Sequence, residues 1–185
     1  MIAICVGHSR PGDSGAVSVG GVSERTYNGQ LAKIIRAQLE AADHECEVID
    51  AYQGGTYGTA MRWLGRKLGT IRATVAVELH FNFGAEEIEG HEWLYWRDSN
   101  PGRLLARALE RNMIMEFPAA KRRGIHGLTP KEPGAEFVRA TPCPAVICEP
   151  FFGSNAREWR EANQYRTELA AVIARGLTDW IGGAQ

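Results

Sequence analysis

A chain of 185 residues with 44% hydrophobic and 23% charged residues has the make-up of one globular domain, long enough to bury a core without disulfide or metal staples. Its formal net charge of -1 carries no basic excess for nucleic acid or an anionic membrane surface, so electrostatics names no partner. The four cysteines, Cys5, Cys46, Cys143 and Cys148, are too few and too apolar in setting for a secreted disulfide framework, and they read as buried free thiols.

The N-terminal run Met1-Ile-Ala-Ile-Cys-Val6 has no basic leader and is too short to span a membrane. It reads as a first strand, and a product without an export signal is expected to be cytoplasmic when made. Gly7, His8 and the turn-forming segment Ser9 to Gly15 follow, with glycines that let the backbone bend beside the imidazole. Ser23 is placed to cap a helix from Glu24 to Ala42, in which Leu31, Ile34, Ile35, Gln38 and Leu39 recur at helical spacing. Residues 45–50 and 73–80 read as strands, with a weaker helix from Gly58 to Thr70 between them. Strand alternation puts Thr74, Ala76, Glu78 and His80 on one face. Glu78 then either orients the neighbouring histidine or lies at a solvated edge, because an apolar strand does not bury a lone carboxylate.

The aromatic run Glu92 to Trp96 is a further strand, with Trp93 and Trp96 on opposite faces. Packing in the sheet is the better reading for both, and stacking on a sugar is the alternative for one. Arg103 to Glu116 reads as a helix, Lys121 to Pro133 as a basic, Gly- and Pro-containing loop over the surface, and Pro144 to Cys148 as a strand. Cys143 and Cys148, five apart, point to opposite faces. Glu149 opens the turn Pro150 to Asn155, and a helix from Arg157 to Ile181 closes the core with a stripe running from Trp159 to Trp180. This alternation predicts an α/β fold: a single domain over residues 1–185, with a mainly parallel or mixed sheet flanked by helices on both faces.

His8, Glu24, His80 and Glu149 each stand where a strand ends or a helix begins, which is where α/β proteins place their chemistry. The first three are the ligand types of a catalytic zinc, two imidazoles and a carboxylate with a fourth position left for water. Glu149 is a carboxylate available for proton transfer. Singly, each has an ordinary reading: His8 as a loop residue, Glu24 as a carboxylate favoured by the helix dipole, Glu149 as a loop glutamate.

Together they resemble the signature of the zinc-dependent N-acetylmuramoyl-L-alanine amidases, cell-wall enzymes that include many phage endolysins. Gly7-His8 with Asp13-Ser-Gly15-Ala16 looks like the family's first metal motif, and Glu24 is placed like its metal glutamate. Glu78-Leu-His80-Phe-Asn82 looks like its Ser-x-His-x-Asn. Gly90-His-Glu92 with Tyr95 resembles the Gly-x-Glu strand, and Pro144 to Glu149 through Phe152 and Asn155 the segment with the catalytic glutamate. The chain departs from the pattern at Cys5-Val6 for Asp-Pro, at Glu78 for Ser and at Phe151 for Gly, and residues 50–72 do not align.

The resemblance implies Zn²⁺ on His8, Glu24 and His80, Glu149 as the catalytic acid and base, and peptidoglycan as the substrate. It implies cleavage of the amide between N-acetylmuramic acid and L-alanine. Under it, Lys121, Arg122, Arg123 and His126 either contact an anionic stem peptide or stay solvated. Two rivals stand beside it. A non-haem iron enzyme uses the same ligand types but leaves Glu149 without a role, and a catalytically silent wall-binding module has no need of that carboxylate.

Overall fold

The apolar runs of the sequence become the inner strands of a six-stranded sheet ordered β2-β1-β3-β6-β4-β5. The structure, a computed structural model, describes residues 1–183. The strands are β1 (Ile2–Val6), β2 (Cys46–Ile49), β3 (Val75–Leu79), β4 (His91–Trp96), β5 (Arg122–Leu128) and β6 (Ala145–Glu149). All five residues of β1 and of β3 are buried, as expected of strands covered on both faces. β2, β1, β3 and β6 run parallel, whereas β4 lies antiparallel to β6 and parallel to β5. The sheet is therefore mixed, within the expectation from sequence.

The helices are α1 (Glu24–Ala41), α2 (Tyr57–Thr70), α3 (Asn100–Glu116), α4 (Ala135–Ala140), α5 (Ala156–Gln164) and α6 (Arg166–Ile181). Side chains of Ser23, Ser99 and Asn155 accept backbone N–H groups at the starts of α1, α3 and α5, and Thr56 with Thr59 closes a capping box on α2. One face of the sheet packs Val6, Val77 and Trp93 against Tyr27, Leu31 and Ile35 of α1, Leu105 and Leu109 of α3, and Val172 and Ile173 of α6. The other packs Ala76 and Ile147 against Met61, Leu64 and Leu68 of α2 and Phe137 of α4. Trp93 is fully buried on the first face and Trp96 packs on the second, so both tryptophans are sheet packing. Cys148 and Cys143 likewise lie on opposite faces.

Three elements differ from the sequence expectation. The stretch expected to be a surface loop, Lys121 to Pro133, contains the edge strand β5. Its Arg122, Arg123, Gly124 and Gly127 hide the apolar alternation, and such residues suit an edge, where charge discourages further strand pairing. The long last helix is two helices, broken at Tyr165 (φ -109, ψ 34), and the apolar stripe carries across the bend. The short helix α4, entered through Gly134 at φ 80, has no periodic signal.

Helix α6 meets α3 at Gly176, where a Cβ would lie 2.9 Å from Leu109 Cα. Gly176→Ala is expected to destabilise the fold by about 1–3 kcal/mol through overpacking, seen as a lower urea midpoint with unchanged slope. Gly29 in α1 has no atom within 4 Å of an added Cβ, so Gly29→Ala should instead raise stability by up to about 1 kcal/mol.

Candidate metal centre

β1 and β3 are neighbours, and the residues that follow them meet at one end of the sheet. Gly7 donates its N–H to Leu79 O (3.0 Å), which sets His8 beside His80. His8 adopts φ 57, a left-handed conformation rarely taken by a residue with a side chain and a form of strain that recurs at functional sites. Its ring is held by Asp13, whose Oδ1 lies 3.0 Å from His8 Nδ1 and also accepts from Gly15 N–H. Nε2 is thereby turned inward, 3.4 Å from Glu24 Oε2. Burial acts to raise the Asp13 pKa, but the Gly15 N–H and the His8 ring hold it below the usual carboxylate range.

Glu24 is the first residue of α1, yet its carboxylate does not cap the helix. It is 4% exposed and points into the sheet edge, accepting from Ala16 N–H and Phe81 N–H while Oε1 lies 2.8 Å from His80 Nδ1. His80 Nε2 faces Glu78 Oε2 at 3.1 Å. Tyr52 donates its hydroxyl to the other Glu78 oxygen (3.0 Å). Glu78 is buried, so of its two sequence readings the one that orients His80 holds. Burial works against a charged His80, but Glu24 and Glu78 on its two nitrogens override this and raise its pKa well above the usual imidazole value. Burial likewise favours neutral Glu24, and the hydrogen bond and charge of His80, with that of His8, hold its pKa below normal.

The donor atoms of His8, Glu24 and His80 lie within 4.8 Å of one another. Two ligands about 2.1 Å from a tetrahedral ion are about 3.4 Å apart, close to the 3.4 Å and 2.8 Å that separate the imidazole nitrogens from Glu24. Each histidine has one nitrogen on an orienting carboxylate and the other turned to Glu24, the arrangement that fixes a metal-binding tautomer. The set fits a divalent cation with one position open.

Glu149 ends β6, one step past the register pair Leu79 and Cys148, and His80 N–H donates to Cys148 O. It thus sits one strand from the His8, Glu24 and His80 cluster. Burial raises its pKa to about 7, with Glu92 and Glu24 adding to the rise and His80 and Arg123 opposing it. Glu92 is its cross-strand partner, accepts from Asn82 Nδ2 and lies 3.4 Å from both Arg123 Nε and His126 Nε2. Three supporting residues had no role assigned from sequence. Asp13 lies inside the first motif, so its proximity to His8 was the available signal. Tyr52 is brought in by its N–H bond to Ser9 O, a contact no local pattern announces. Buried Glu158 accepts from Gly90 N–H and Phe152 N–H, which ties the turn after Glu149 to the start of β4.

Residues 2–179 match the family model described as N-acetylmuramoyl-L-alanine amidase. The chain belongs to this amidase family. It is a hydrolase of that class, and the family's fold is the one seen here. The catalytic domain of an endolysin targeting Clostridium difficile has TM-score 0.81 at 24% identity over 96% of each chain. The amidase CwlD of Clostridioides difficile, solved with the GerS lipoprotein, has TM-score 0.85 at 16% identity over 98% of each. The amidase AmiC2 of Nostoc punctiforme has TM-score 0.81 at 20% identity, over 98% of this chain and 97% of that one. No curated protein matches in sequence. An amidase-family domain with a helix-flanked sheet speaks against the iron-enzyme rival.

Gly15 (φ +70) leaves no room for a side chain, since a Cβ would lie 2.7 Å from both Glu24 Oε2 and His8 Cδ2. Gly15→Ala is expected to weaken divalent-cation binding at this cluster roughly 10- to 100-fold by displacing these donors, measured by chelator competition. Unchanged affinity would contradict the assigned donor set.

Proposed function

We propose that the chain is a zinc-dependent N-acetylmuramoyl-L-alanine amidase of the phage endolysin type, cleaving the amide between the lactyl group of N-acetylmuramic acid and L-alanine in peptidoglycan. The observation that carries this reading is the convergence of His8, Glu24 and His80 on one small volume, with the half-buried carboxylate of Glu149 one strand away. His8, Glu24 and His80 would hold the zinc ion. When bound, the ion supplies Lewis acidity, lowering the pKa of a water to about 7 and polarising the scissile carbonyl.

The remaining work falls to the chain. Asp13 and Glu78 keep the two imidazoles oriented, and Glu149 takes the proton of the attacking water and delivers it to the leaving amine of L-alanine. A carboxyl whose burial puts its pKa near 7 is suited to both halves of that transfer. Likeness to an endolysin catalytic domain supports the phage type, in which the enzyme is made in the cytoplasm and reaches the wall on release. No described helix is long and apolar enough to cross a membrane.

Glu149→Gln is expected to keep the fold and bound zinc while losing on the order of 10²–10⁴ in turnover, or about 3–5 kcal/mol of barrier. Near wild-type turnover would remove Glu149 as the proton carrier. Digestion of purified peptidoglycan should release L-alanine amino termini with no new reducing sugar ends, and new reducing ends would indicate a glycosidase instead.

A further inference from the structure

The strand order lays the functional groups out in a row. Moving across the sheet from the ligand cluster at β1 and β3, the next strand carries Glu149, the next Glu92, and the edge strand β5 carries Arg123 and His126. β4 and β5 run opposite to the other four strands, so their N-terminal ends lie at the same rim as the C-terminal ends of β1, β3 and β6.

Arg123 is placed there by a β-bulge. His91 pairs with Arg122 and Glu92 with Gly124, which leaves Arg123 as the extra residue. Gly124, at φ +100, supplies the backbone conformation that follows. Bulges re-aim side chains and gather at sheet edges beside active sites. Here Arg122 turns to Glu110 of α3, whereas Arg123 lies over the Phe152 ring, 5.1 Å from its centroid, with Nε toward Glu92. Edge protection accounts for charge on β5 but not for this placement. Glu92 also holds the half-exposed His126, and it is itself supplied by Asn82. Glu92 thus anchors Arg123 and His126 by one edge of each, and a guanidinium has further N–H groups for a second anion.

We propose that Arg123, assisted by His126, is a carboxylate-binding subsite for the stem peptide, receiving the free α-carboxylate of its second residue, a γ-linked D-glutamate. This rests on the amidase reading above and gives the substrate its direction. Glu149 protonates the leaving amine, so the released peptide extends from the metal cluster toward β6, β4 and β5, and the sugar lies on the opposite side. β5 is two strand spacings, about 10 Å, from Glu149. The second-residue carboxylate lies about 7 Å from the scissile nitrogen in an extended peptide, and the arginine side chain bridges the remainder.

The test is calorimetric binding of two synthetic peptides to the zinc-loaded protein: L-alanyl-γ-D-glutamyl-L-lysine, and its counterpart with the D-glutamate α-carboxylate amidated. The acid form should bind on the order of tenfold more tightly. Arg123→Gln should bind the two forms equally, and His126→Gln should reduce the difference. Equal binding of both peptides to the unmodified protein, no detectable binding of either, or a preference that survives Arg123→Gln would overturn the proposal. A carboxylate preference in a protein that cleaves no muramyl amide would keep the subsite and remove the amidase reading, so the two fail separately.

Discussion

Glu24 is the group on which the arrangement turns. Its buried carboxylate reaches from the first turn of α1 to both imidazoles, with His80 Nδ1 at 2.8 Å and His8 Nε2 at 3.4 Å, and it takes two backbone N–H groups as well. Behind His80 stands a second buried carboxylate, Glu78. Burying two such groups costs several kcal/mol unless positive charge is close by. A proton on His80 or a shared dication supplies that charge, and only the dication also uses His8. The positive φ of His8, the tight fit at Gly15 and the Tyr52 hydroxyl on Glu78 all serve to keep this cluster in one geometry.

The fold converts that cluster into a directional site. Because β1 and β3 are adjacent and β6 is next, His8, His80 and Glu149 arise at or just after successive strand ends, and Glu24 reaches them from the head of α1. Reversal of β4 and β5 then carries Glu92 and Arg123 to the same rim. Glu158 fastens the turn after β6 to the residue before β4, which fixes the spacing between Glu149 and its cross-strand neighbour. Rigid strands position the chemistry more narrowly than mobile loops would.

The convergence of His8, Glu24 and His80, with Glu149 on the next strand, was legible in the sequence because each lies at a boundary that apolar periodicity marks, and because their order matches one family's pattern. The layers and most elements were legible for the same reason. β5 was hidden because an edge strand tolerates arginine and glycine, and because its bulge breaks alternation at Arg123. Tyr52 was hidden because its partner, Glu78, is 26 residues away, and no periodicity joins them. Glu78 left two readings open, since alternation gives a residue's face but not whether that face is covered. The helix break at Tyr165 escaped because the apolar stripe continues through it.

The most direct measurement is a zinc-soaked crystal structure with anomalous diffraction at the zinc edge. A single strong peak is expected about 2.0–2.2 Å from His8 Nε2, His80 Nδ1 and a Glu24 oxygen, with Asp13 and Glu78 still on the outer nitrogens of the two rings. A peak held by other residues, or no peak at this cluster in saturating zinc with His80 still bridging Glu24 and Glu78, would contradict it.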